Sequence, residues 1–114
     1  MNEFNLPKVE KDISNGTLSL SGISMMEDAI NFYKPIKEWL GEYLDNSASI
    51  TLNFNLEYFN SSSAKQIIQL ISKLEESNVT GKVIWRYPAD EIILYERGKE
   101  LEAILDVNFE FIEI

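Results

Sequence analysis

The chain has 114 residues, enough for one domain, since domains of ordinary composition run to about 100–150 residues. It contains neither cysteine nor histidine, which excludes disulfides, thiolate nucleophiles, Ser-His and Cys-His pairs and the usual transition-metal sites. Ten lysines and arginines stand against nineteen aspartates and glutamates, a net charge of −9, so phosphate backbones and anionic lipid are repelled and neither a nucleic acid nor a membrane is expected as partner.

A hydrophobic share of 45% and a charged share of 25% are ordinary globular usage. The stretch MNEFNLPKVEKD is polar and lacks the basic start and apolar run of a secretory signal, and no apolar run is long enough to span a bilayer. A single cytoplasmic domain over residues 1–114, with no cofactor and no metal, is the expectation.

Val9 and Ile13, then Leu18 and Leu20, fall in two short alternating runs around Ser14-Asn15-Gly16. Asn-Gly suits the two positive-φ positions of a type I′ turn, which predicts a β-hairpin over residues 8–21. Ser24 precedes Glu27 by three residues, the spacing of a capping box. Ile30, Tyr33, Ile36, Leu40, Tyr43 and Leu44 then recur at helical steps, predicting a helix over 26–44, with Phe32 and Trp39 on a second flank. Pro35 should kink this helix or leave a carbonyl free.

Ile50, Leu52, Phe54 and Leu56 alternate with polar residues and predict a strand over 50–57 with one buried face. Asn60 and three serines follow, and Ala64, Ile67, Ile68, Ile71 and Leu74 trace a helix that ends before Asn78. Ser61 or Ser62 is the expected N-cap of that helix. A further strand over 82–87 stops at Pro88, a helix over 90–105 is weakened at Gly98, and Val107, Phe109 and Phe111 make a last strand. The order ββαβαβαβ implies a two-layer α/β fold, a mixed sheet with helices largely on one face. The polar face of the 50–57 strand agrees, because a strand covered on both faces would be apolar throughout.

The stretch from Leu56 to Lys65 sets a strand end, two aromatics and a cluster of hydroxyls at the mouth of an amphipathic helix. Helix capping explains the serines and asparagine on structural grounds alone. A helix N-terminus also favours an anion, and a phosphate on a first-turn serine would add about −1.5 to −2 charge there. Adjacent strand residues point to opposite faces, so one of Tyr58 and Phe59 should be exposed. Trp39, Trp85, Phe54, Phe109 and Phe111 are expected in the core rather than around a ligand. Asp90-Glu91 and Glu75-Glu76 lack the convergent partner an acid–base pair requires, and no Gly-rich phosphate loop occurs.

Three segments carry a family resemblance. They are Gly22 to Ala29 with Phe32-Tyr33, Pro35-Ile36 and Trp39-Leu40; the central Leu56 to Lys65; and Val83 to Tyr87 with Asp90-Glu91 and Arg97-Gly98. Together they resemble the SiaC-like family of small bacterial regulatory phosphoproteins, which are similar in fold to STAS-type anti-sigma-factor antagonists. The chain differs from the family pattern in having serine where the family's acceptor is typically threonine, and Met26 where proline is usual. The resemblance implies a signalling protein without catalytic residues. Its phospho-acceptor would be Ser61, with Tyr58, Phe59, Asn60, Ser62 and Ser63 as partner-binding residues. It also implies a cognate serine/threonine kinase, a metal-dependent phosphatase, and an output protein such as a diguanylate cyclase bound by the unphosphorylated form. A constitutive adaptor of the same fold, and a small-molecule or cation-binding domain, are the alternatives.

Overall fold

The computed structural model describes residues 5–114. The elements follow the expected order: β1 (Lys8–Asp12), β2 (Thr17–Ser24), α1 (Ala29–Asp45), β3 (Ser49–Phe59), α2 (Ser61–Glu76), β4 (Thr80–Tyr87), α3 (Ile92–Ile104) and β5 (Asn108–Glu113). They build one five-stranded sheet in the order β1-β2-β3-β4-β5, with β1 antiparallel to β2 and every other neighbour parallel.

This topology dictates the layers. Each of the three strand–helix–strand units steps one strand in the same direction, and right-handed crossovers therefore set all three helices on one face. The opposite face stays open and polar, as the half-polar pattern of β3 predicts. Leu18, Leu20, Ile50, Leu52, Phe54, Leu56, Val83 and Trp85 point from the sheet into the core, each at most 3% exposed. Tyr33, Ile36, Leu40, Ile67, Leu70 and Ile71 meet them from α1 and α2. At about 1.5–3 kcal/mol per fully buried large apolar side chain, this layer is the main stabilising term. Trp39, Phe109 and Phe111 are partly buried and pack against its margin.

Several local expectations are corrected. The β1–β2 turn is not type I′, because only Gly16 has positive φ there (63°). Asp12 organises the turn instead, its carboxylate accepting from Ser14 Oγ, Asn15 N and Asn15 Nδ2, which lowers its pKa. Ser24 does not cap α1 either. It is the buried last residue of β2, and Asp28 is the cap, accepting from Asn31 N at 3.1 Å. The helix therefore starts at Ala29, whose side chain takes the core position four residues before Tyr33, and Ile30 turns out to solvent at 66% exposed. The helix runs through Pro35. Pro35 and Asn31, whose carbonyl loses its partner, both lie on the exposed side, so the freed carbonyl is not buried.

Gly98 is a close approach rather than a weak point. A Cβ there would sit 2.6 Å from the Trp85 ring and 2.8 Å from Phe111, so only glycine lets α3 lie this near the sheet. Trp85 Nε1 donates to the Leu94 carbonyl at 2.9 Å, fixing the same contact.

Candidate functional site

The carboxyl ends of β2, β3 and β4 lie side by side, and each feeds a helix N-terminus. The central one carries the serines. Asn60 is the N-cap of α2, its side chain accepting from Ser63 N at 2.9 Å, so neither Ser61 nor Ser62 fills the cap position. Asn60 N in turn donates to the Ser24 carbonyl at 3.1 Å, anchoring the strand–helix junction to β2.

The three serines then have three different environments, set by the 100° step of the helix. Ser61 is exposed, and its hydroxyl makes no hydrogen bond among the described residues. Ser62 is exposed and donates to Asn60 Oδ1 at 3.1 Å. Ser63 is fully buried, accepting from Ser24 Oγ at 2.8 Å and donating to the Met26 sulfur at 3.7 Å. Tyr33 OH lies 2.7 Å from Ser24 Oγ, and burial pushes its pKa to about 12. The Ser24–Tyr33–Ser63 cluster was not anticipated as a unit. Ser24, set between Ile23 and Met25, is the only signal of it in the sequence, since Ser63 follows two other serines.

Tyr58 and Phe59 are sorted by a β-bulge. Gly22 pairs with Leu56 but Ile23 pairs with Tyr58, so Glu57 is an extra residue on β3. Gly22, at φ 93°, accommodates the irregularity. The slip reverses the inside–outside alternation beyond Leu56. Tyr58 is 48% exposed, whereas Phe59 is 2% exposed and packs edge-on against Trp85 at 5.8 Å. Phe59 and Ser63, expected among the partner-binding residues, are therefore interior. Tyr58, Asn60, Ser61 and Ser62 form the accessible part of the motif.

The electrostatics are uneven. The first turn of α2 has no acidic side chain to offset its dipole. Lys65 lies one helical turn beyond Ser61, and the Arg97 guanidinium rests 5.1 Å from the Phe59 ring centre. Neither enters any ion pair among the described residues. Among those residues no three carboxylates converge as a cation site requires, and no helix is long and apolar enough to cross a membrane.

A mixed sheet with all helices on one face is a two-layer α/β domain, an arrangement consistent with a STAS-like fold. The model of the SiaC family of regulatory phosphoproteins matches residues 2–114, and the chain belongs to that family. An uncharacterized protein of Pseudomonas aeruginosa (strain UCBPP-PA14) is 27% identical over 109 residues, covering 92% of this chain and 85% of that protein. Among solved structures, SiaC of P. aeruginosa matches with a TM-score of 0.90 at 21% identity, over 100% of this chain and 95% of that one. Apo-SiaC from the same organism gives 0.87 at 23% identity, over 96% and 92%. The diguanylate cyclase SiaD in complex with its activator SiaC gives 0.88 at 20% identity, over 97% of this chain and 94% of the matched chain. At these identities the structural likeness establishes the fold.

Proposed function

We propose that this chain is a non-enzymatic cytoplasmic switch that binds a diguanylate cyclase while unphosphorylated. A cognate serine/threonine kinase modifies Ser61 and a metal-dependent phosphatase restores it. Membership of a regulatory phosphoprotein family and the likeness to an activator bound to a cyclase support the class of function. The observation that carries the residue choice is the division of labour at the head of α2. Asn60 already caps the helix and Ser63 is buried, so the exposed, unbonded Ser61 hydroxyl is the one group with no structural duty.

Tyr58 then serves as the aromatic anchor beside the switch, a residue type that dominates interface energies when a partner encloses it. Phosphate on Ser61 is tolerated in the free protein, where water, the helix dipole and Lys65 meet it. In the complex it would have to be desolvated at the centre of the contact. That costs several kcal/mol, more than the 0–1 kcal/mol or so that an exposed ion pair returns, so modification releases the partner.

The test is affinity for the cyclase measured with wild type, Ser61→Ala and Ser61→Asp. Ser61→Ala should bind as wild type does, and Ser61→Asp should bind at least tenfold more weakly. Equal binding by all three would leave a constitutive adaptor of the same fold.

A further inference from the structure

We infer that the cleft between α1 and α2 binds a small phosphate ester that also carries hydroxyl groups. The α2 side chains lining it begin at Gln69, more than two turns beyond Ser61, so this is a second site, independent of the switch. The cleft has a volume of about 530 Å³, within the range of small-ligand sites. Lys34, Lys37 and Lys73 line it together with Glu38 and Glu76. Three ammonium groups against two carboxylates leave it net positive, on a chain whose net charge is −9.

Lys37 is the best-placed group. Its ammonium donates to Gln66 Oε1 at 2.7 Å and to Gln69 Oε1 at 2.8 Å. Gln66 is only 5% exposed, so the charge is held in place from within the helix interface. Both acceptors are neutral, and the third ammonium proton stays available. None of the three lysines enters an ion pair among the described residues, although Glu38 and Glu76 line the same cleft. A positioned, half-buried cation without a counter-charge is suited to an incoming oxyanion.

Gly41 supplies space. Glycine inside a helix is less favourable than alanine, and nothing in the fold demands one here. Its φ is not positive, and an added Cβ would meet only Lys73 Nζ, at 3.8 Å. The missing side chain instead opens a further hollow of about 220 Å³, which Lys73 and Glu76 join to the main cleft. Every side chain lining the main cleft is polar or charged. That leaves no ring for a nucleobase to stack on and no apolar anchor for a protein partner. Glu38, Glu76 and the Gln69 amide can accept from hydroxyls, so a phosphorylated polyol matches the lining better than phosphate alone.

The experiment titrates the unmodified, isotope-labelled chain with glycerol 3-phosphate at fixed ionic strength. Saturable shifts should appear at the amides of Lys37, Gly41, Gln69 and Lys73, and Tm should rise with ligand concentration. Inorganic phosphate should bind at least about threefold more weakly, for want of the hydroxyl contacts. Lys37→Gln with Lys73→Gln should weaken binding at least about tenfold. Gly41→Leu keeps every charge and fills the hollow, and should weaken it to a similar degree.

Equal affinity for inorganic phosphate would overturn the inference. So would undiminished binding in Gly41→Leu, the mark of a diffuse counter-ion on exposed lysines. Tighter binding of a glutamate-rich peptide would overturn it as well, in favour of an acidic protein partner. The wild-type mapping and the ligand ranking decide the matter even where a variant folds poorly. Ser61 takes no part in this site, so the titration and the Ser61→Asp comparison fail independently.

Discussion

Ser24 Oγ donates to Ser63 Oγ across 2.8 Å, joining the last residue of β2 to the first turn of α2. Each hydroxyl has one proton, and a consistent chain runs from Tyr33 to Ser24 to Ser63 to the Met26 sulfur, which can only accept. The neighbouring Ser61 belongs to no such chain. Ser63→Ala should therefore lose about 1–2 kcal/mol of stability, roughly 4 °C in Tm per kcal/mol. Ser61→Ala should stay within about 0.5 kcal/mol of wild type. Thermal denaturation of the two variants checks the contrast.

Tyr33 sets an alkaline limit. Its pKa is raised by burial from 10.0 to about 12, so the folded protein holds a proton that the unfolded chain releases. Stability from this group is complete below pH 10 and is lost as pH rises from 10 towards 12, by about 2–3 kcal/mol in all. Urea denaturation across that range should show the loss in wild type. In Tyr33→Phe the slope should flatten, with a lower plateau below pH 10 because Ser24 loses a partner.

Asn60 is both cap and tether. Asn60→Ala should cost about 1 kcal/mol, and Asn60→Asp, which keeps the accepting oxygen, should cost less. If Ser61 or Ser62 were the cap, Asn60→Ala would be neutral by chemical denaturation.

Gly22 decides which aromatic faces solvent. At φ 93° an alanine is strained although nothing crowds its Cβ, so Gly22→Ala should cost about 1–2 kcal/mol. Relief of that strain requires loss of the bulge, which would turn Tyr58 inward. Solvent-accessibility labelling of Tyr58 should therefore decrease in Gly22→Ala along with stability.

The element order, the mixed sheet and the one-sided helices were legible because they rest on periodicity, and Ile50, Leu52, Phe54 and Leu56 all face the core as their alternation implied. What escaped depended on tertiary contacts. The bulge opposite Gly22 reversed the phase at Tyr58 and Phe59, and nothing within β3 itself signals an extra residue. Ser24 has capping-box spacing, but the chain keeps it in β2, where Ser63 and Tyr33 satisfy it, and Asp28 caps α1 instead. The three serines were equivalent as sequence. Only the helix phase, with Asn60 as cap, separates an exposed Ser61 from a buried Ser63. Ile30 was misplaced for a related reason: it fits a core stripe until the helix start moves to Ala29.

The central claim is that Ser61 is the regulated residue. Tandem mass spectrometry of the protein isolated from its own cells, with phosphatase activity inhibited, tests it most directly. A phosphate localised to Ser61, with occupancy that changes between growth conditions, is the expected result. Phosphate on Ser62 or Ser63 instead, or none under any condition, would contradict it.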